Sequence, residues 1–175
     1  MKRTIKDFDL EGKKIIIRCD LNVPIENGVI TDDTRIIASL RTIKYALRFN
    51  TKIILLSHLG KIKTEEDKKK NSLYPVVERL REYLNTEVLF SPDTCSDRLT
   101  DMVNNMKEKS VLLIENTRFE DVPDKRESEC NDDLAKYWAS LGDIFINDAY
   151  GTCHRNHTSI TGIPKYLPSG VGFLV

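Results

Sequence analysis

The chain has 175 residues, with 27 Lys and Arg against 27 Asp and Glu; 40% of its residues are hydrophobic and 31% charged. That length supports one domain with a buried core, and that composition excludes a disordered chain. The zero formal net charge gives no overall pull on nucleic acid or an anionic membrane, so any anion specificity has to come from a local cluster of positive charge.

Taken in chain order, the opening Met1-Lys2-Arg3-Thr4-Ile5-Lys6-Asp7 lacks the apolar stretch of a signal peptide. A β-branched run predicts a buried strand over residues 13–18. Asn27-Gly28, between Pro24-Ile25 and Val29-Ile30, is a tight-turn signal and predicts a small hairpin. Thr31, Asp32, Asp33 and Thr34 offer N-caps for a helix over residues 35–49, whose apolar positions Ile36, Leu40, Ile43 and Leu47 fall on one face. A strand over 52–57 and a helix over 73–84, with Pro75 in its first turn, repeat the alternation. A strand over 86–90, a helix over 98–106 and a strand over 110–115 follow.

The charged stretch 120–133 reads as a solvated loop. Asn131-Asp132-Asp133 then caps a helix that runs through Trp138 and stops at Gly142, and Ile144-Phe145-Ile146 is the next strand. The final Gly170-Val171-Gly172-Phe173-Leu174-Val175 is an apolar run with no polar tail, a pattern expected of a chain cut from something longer. The apolar runs at 53–56 and 111–114 are too short to span a membrane. The cysteines Cys19, Cys95, Cys130 and Cys153 form no Cys-x-x-Cys pair, which points to reduced thiols in the cytosol. Strands alternating with helices predict βαβ crossovers: a Rossmann-like, three-layer α/β/α fold with a mostly parallel sheet of about six strands.

In such sheets ligands bind beyond the carboxyl ends of the strands. The residues that follow each predicted strand form a consistent set: Asp20 and Asn22, then His58 and Lys61, then Arg118, then Asn147, Asp148 and Arg155. Arg35, in the first turn of the first helix, belongs to the same rim. Taken singly, each has a plainer explanation as a surface charge or a backbone cap. Together they crowd positive groups on one edge, which calls for an anion. A small molecule with phosphate and carboxylate suits arginine forks, and Asp20 and Asn22 can hold a hydroxyl.

Two other chemistries fit less well. Cys153, His154 and His157 place a thiol and two imidazoles close together, but no second cluster at zinc spacing exists and Arg155 opposes a cation, so no metal site is expected. There is no Gly-x-x-x-x-Gly-Lys-Ser/Thr loop, and Gly170-x-Gly172 lacks the further glycine of a dinucleotide turn. Phosphate recognition here would rest on side chains.

Five blocks carry a family resemblance: residues 18–24 (Arg-Cys-Asp-Leu-Asn-Val-Pro), 27–36 (Asn-Gly-Val-Ile-Thr-Asp-Asp-Thr-Arg-Ile), 56–60 (Leu-Ser-His-Leu-Gly), 113–119 (Leu-Ile-Glu-Asn-Thr-Arg-Phe) and 147–157 (Asn-Asp-Ala-Tyr-Gly-Thr-Cys-His-Arg-Asn-His). In this order and over almost the whole chain, they are similar to the signatures of the phosphoglycerate kinases. The resemblance implies a two-lobed cytoplasmic enzyme of glycolysis that moves a phosphoryl group between 1,3-bisphosphoglycerate and ADP, giving 3-phosphoglycerate and ATP. Residues 1–175 would be its N-terminal substrate-binding domain. Mg-ADP or Mg-ATP would be held by a C-terminal nucleotide-binding domain that has no counterpart here, and no cofactor is expected in this chain.

By the same resemblance, Asp20 and Asn22 would bind the carboxyl-hydroxyl end of the substrate, and His58, Lys61, Arg118 and Arg155 its phosphate. Arg35 would be both substrate-binding and catalytic, stabilising charge on the phosphoryl group in flight. The family pattern has Arg-Pro where this chain has Lys61-Ile62; lysine keeps the charge and loses the fork. The implied partners are 3-phosphoglycerate or 1,3-bisphosphoglycerate and the nucleotide-binding domain, with no nucleic acid or membrane, and a monomer is expected. Transfer would fail without the second lobe. Apart from the resemblance, a stand-alone module that senses a phosphorylated metabolite and a folding unit with no ligand remain open.

Overall fold

The computed structural model describes residues 3–175; Met1 and Lys2, which begin the segment read for a leader, lie outside the described residues. The chain runs β1 (Lys14–Arg18), β2 (Ile25–Glu26), β3 (Val29–Ile30), α1 (Thr34–Ala46), β4 (Lys52–Leu56), α2 (Glu65–Lys70), α3 (Tyr74–Leu84), β5 (Val88–Ser91), α4 (Asp97–Asn104), β6 (Ser110–Ile114), α5 (Asp132–Ser140), β7 (Ile144–Asn147) and β8 (Ser169–Val171), with short 3₁₀ segments and a π-helical turn at Thr158–Gly162. Six strands form one sheet in the order β5-β6-β4-β1-β7-β8, and every pairing in it is parallel. β2 and β3 pair antiparallel, turning through Asn27 and Gly28, whose φ values of 52° and 78° are those a two-residue hairpin needs.

The period of two in the strands builds two cores. Ile15, Ile17, Ile53, Leu55 and Leu113 pack with Ile43 of α1 and Val77 and Leu80 of α3. Ile16, Ile54, Leu112 and Phe145 face the other way, against Leu99 and Val103 of α4 and Trp138 of α5. Helices on both faces of a parallel sheet make the predicted three layers, and burial on both sides explains why the strands read as unbroken apolar runs. Trp138 is fully buried, and its indole N–H donates to the Thr94 carbonyl at 2.8 Å, so its polar atom is satisfied within the core.

Three local expectations change. Asp33 is the N-cap of α1 by position, but its side chain makes no cap bond; it accepts instead from Arg79, at 2.6 Å, and from the Tyr83 hydroxyl, tying α1 to α3. The helix α2 has the sequence Glu-Glu-Asp-Lys-Lys-Lys and no buried residue, so no apolar period marks it. A capping box from Thr64 and Asp67, with acids in its first turn and lysines in its last, holds it instead. The stretch 120–133 is not simply solvated: Glu127 is fully buried, and α5 begins at Asp132 with the Asn131 side chain accepting from Leu134 N–H.

All the carboxyl ends of a parallel sheet lie on one edge. After β1 the chain crosses towards β4, whereas after β7 it proceeds to β8 on the opposite side, so the connections diverge between β1 and β7. That divergence opens a crevice beyond the strand ends.

Candidate functional site

Each loop on this edge is set by the strand before it. Asp20 follows β1, and its Oδ1 accepts the Asn22 backbone N–H at 3.1 Å, folding the chain back on itself. Arg35, exposed at the start of α1, reaches over with Nη1 at 2.7 Å from the Asn22 carbonyl and 3.5 Å from Asp20 Oδ1. The Asn22 side chain accepts the Gly60 N–H at 3.0 Å, which leaves its amide NH2 as the group available to a ligand. The Gly60 carbonyl in turn accepts from Arg118 Nη1 at 2.9 Å. Arg35, Asp20, Asn22, Gly60 and Arg118 are therefore one connected line across the rim. Gly60 holds φ +60°, and a Cβ there would run into the Asn71 side-chain oxygen, so glycine is required at this crossing.

The buried Asn116 side chain supports the same crossing. It donates to the carbonyls of Leu59 and Asn71 at 2.7 and 2.9 Å and accepts the Arg118 N–H at 3.0 Å. Nearby Glu115, also buried, accepts from Ser72 at 2.6 Å and from the Leu73 and Asn116 N–H groups at 2.8 Å each, so its charge is spread over three donors.

Beside this line lies an open cavity of about 680 Å³, lined among others by Lys61, Lys63, Arg118, Lys125, Arg155 and His157, with Asp121 the one acid. Burial and the neighbouring Arg155 both lower the pKa of half-buried Arg118. His58 is 5% exposed, and its imidazole is pushed down to about 2 by burial and then by Arg18, Arg118, Arg155 and His157. It is therefore a neutral hydrogen-bonding group, not a cation. Burial also lowers His157, whose Nδ1 is buried with no hydrogen-bond partner among the described residues. Five cations facing one carboxylate around a space of this size are an excess of positive charge that an anion would offset.

Of the seven residues singled out from sequence, Lys61, Arg118 and Arg155 line the cavity, and Asp20, Asn22 and Arg35 form the connected rim beside it. His58 sits behind both, buried. Sequence reasoning missed Lys63 and Lys125 as cavity residues. Lys63 lies two places beyond Lys61 in the same post-strand loop and was open to the same logic; Lys125 lies in the stretch taken as plain loop. It also missed Arg18, which closes β1 fully buried and reaches His58. Among the described residues, no group of three or more His, Cys, Asp or Glu side chains lies together as a metal site would need, and no helix is long and apolar enough to cross a membrane.

Asp148 directly follows β7. It is fully buried; Oδ1 accepts the Leu174 N–H at 3.0 Å, Oδ2 has no partner among the described residues, and Gly172 lies so close that a Cβ would collide with the carboxylate. Burial raises its pKa from 3.8 to about 6, against the opposing pull of Leu174 N–H and Thr42. The folded state thus holds a proton that the unfolded chain gives up between those values, so this group stabilises at low pH and the contribution is lost as pH rises through about 6. Asp148→Asn removes that contribution. Relative to the parent, stability of the variant should gain about 1.4 kcal/mol per pH unit near pH 5, measured by urea unfolding at a series of pH values.

Comparison with known proteins converges on one family. The profile described as Phosphoglycerate kinase matches residues 5–175. A phosphoglycerate kinase of Enterococcus faecalis is 56% identical over 175 residues, covering 99% of this chain and 44% of that protein. One from Fusobacterium nucleatum is 52% identical over 178 residues, covering 100% of this chain and 45% of that protein. Among solved structures, phosphoglycerate kinase from Coxiella burnetii superposes with a TM-score of 0.84 at 34% identity, covering 99% of this chain and 42% of that one. Phosphoglycerate Kinase from Pyrococcus horikoshii OT3 gives 0.83 at 30%, covering 99% and 43%. The chain thus spans less than half the length of these relatives. With the profile matched over nearly all of it and a three-layer parallel fold shared with those structures, the chain belongs to the phosphoglycerate kinase family.

Proposed function

We propose that residues 1–175 form the N-terminal, substrate-binding domain of a phosphoglycerate kinase, and that the rim takes 3-phosphoglycerate or 1,3-bisphosphoglycerate. The observation that carries this reading is the pairing of a polycationic cavity at Lys61, Arg118 and Arg155 with the adjoining Asp20–Asn22–Arg35 line. The phosphate end has arginine forks and the neutral donor His58 for its oxygens, with Lys61 as a point charge. The carboxyl-hydroxyl end has an acceptor in Asp20 and a donor in Asn22. Arg35, exposed at the start of α1, would reach the reacting carboxyl and spread the charge of the phosphoryl group in transit.

The acceptor for that phosphoryl group is the nucleotide. In this reading Mg-ADP and Mg-ATP are held by a second domain, which closes over the rim by a hinge motion. This chain contributes no cofactor site, works as a monomer in the cytoplasm and performs no transfer alone. Titration calorimetry of the chain with 3-phosphoglycerate tests the binding half of the claim. Saturable heat, weakening as salt is raised, is expected; no heat at millimolar ligand would sink a functional site in this domain.

A further inference from the structure

Arg18 is fully buried, yet every nitrogen of its guanidinium has a partner: Nε donates to Ser159 Oγ at 2.8 Å, Nη1 to the Cys19 carbonyl, and Nη2 lies 3.0 Å from His58 Nδ1. Ser159 lies in the π-helical turn Thr158–Gly162 and passes the contact on. Its hydroxyl donates to Glu127 Oε2 at 2.6 Å and its backbone N–H to Oε1 at 2.8 Å. Glu127, Ser159, Arg18 and His58 thus form a buried relay from the 120–133 stretch to the back of the anion cavity. Its charges are one buried arginine and one buried carboxylate, and neither touches the space a ligand would fill.

We propose that Arg18 is a positioning residue that fixes His58 in the Nε2–H tautomer, with Ser159 and Glu127 holding Arg18 in place. A guanidinium has only donors, so the nitrogen facing it must offer a lone pair. His58 Nδ1 is then the acceptor, and a neutral ring must carry its proton on Nε2. The groups facing His58 argue against a second proton: Arg18, Arg118, Arg155 and His157 surround a ring that is already buried. His58 therefore presents a fixed donor to an anion, and its contribution does not vary with pH over the physiological range. The benefit to ligand binding rests on the reading that the rim takes phosphoglycerate; the tautomer itself does not.

The test is a long-range ¹H–¹⁵N spectrum of the ¹⁵N-histidine-labelled chain without ligand. His58 is expected to show an unprotonated Nδ1 and a protonated Nε2, unchanged between about pH 5 and pH 8. A protonated Nδ1, or titration of His58 inside that range, overturns the proposal. Arg18→Lys keeps the charge and loses the fork, so it should mix the tautomers and weaken 3-phosphoglycerate binding about tenfold. Because that variant disturbs a buried site, Ser159→Ala provides a second: it frees Arg18 Nε, takes one donor from Glu127 while leaving the Ser159 backbone N–H to Oε1, and should partly mix the tautomers in a folded chain. An unaltered His58 spectrum in both folded variants also overturns the proposal. If the parent spectrum is as expected and 3-phosphoglycerate fails to bind, the substrate reading fails and the assignment of Arg18 stands.

Discussion

Arg118→Ala should weaken binding of 3-phosphoglycerate by about 10- to 100-fold, the equivalent of about 1.5–3 kcal/mol for a charge-assisted contact. Arg118 is half-buried between the Gly60 carbonyl and Arg155, so its guanidinium is already partly stripped of water and aimed into the cavity. Among the described residues the guanidinium makes one hydrogen bond, to a backbone carbonyl, and the nearby Arg155 opposes its charge. Removing it in the absence of ligand should therefore change unfolding stability little. The discriminating result is the contrast between the two measurements, calorimetric affinity and urea unfolding. Arg155→Ala and Lys63→Ala, both at exposed positions of the cavity wall, should each cost less because exposed charges are screened. Unchanged affinity in Arg118→Ala would remove the phosphate from this cavity.

Glu127→Ala should be the most destabilising single change at the back of the site, by about 3–5 kcal/mol in urea unfolding. The substitution leaves Arg18 charged and fully buried, and it strips acceptors from the Ser159 hydroxyl and backbone N–H. Burial already lowers the pKa of Arg18, and the negative charge of Glu127 does most to oppose it. The pair Arg18→Met with Glu127→Leu removes both charges together and should cost less than Glu127→Ala alone. A loss below about 1 kcal/mol for Glu127→Ala would mean that Arg18 does not depend on this carboxylate.

Glu127 also marks the limit of what the sequence made legible. Five of the six strands of the sheet and the main helices followed from apolar period and capping residues; β8, three half-buried residues at Ser169–Val171, did not. The rim followed from one topological rule, because parallel strands deliver their following loops to one edge. Asp20, Asn22, His58, Lys61, Arg118 and Arg155 could all be chosen by position alone. The stretch around Glu127 could not, since its charge pattern is that of any solvated loop. Its burial depends on Ser159 and Arg18, which are 32 and 109 residues away in the chain. Arg18 itself falls at the end of a predicted strand, but nothing in its neighbours says that it turns inward. The helix α2 was invisible for a related reason: it buries nothing, so the apolar signal that reveals helices has nothing to act on.

The two groups of rim residues are separate in chemistry as well as in place. Cations line the cavity, whereas the Asp20–Asn22–Arg35 line alternates acceptor and donor and is held by the loop after β4 through Gly60. A ligand with phosphate at one end and hydroxyl and carboxyl at the other matches that order. A symmetric anion would use only the cavity.

Amide shift mapping of the ¹⁵N-labelled chain with 3-phosphoglycerate tests this order most directly, with inorganic phosphate as the control. The account predicts saturable shifts at Arg118 and Arg155 with both ligands, and shifts at Asp20, Asn22 and Gly60 with 3-phosphoglycerate alone. Shifts confined to residues away from the carboxyl ends of the strands, or identical patterns for the two ligands, would contradict it.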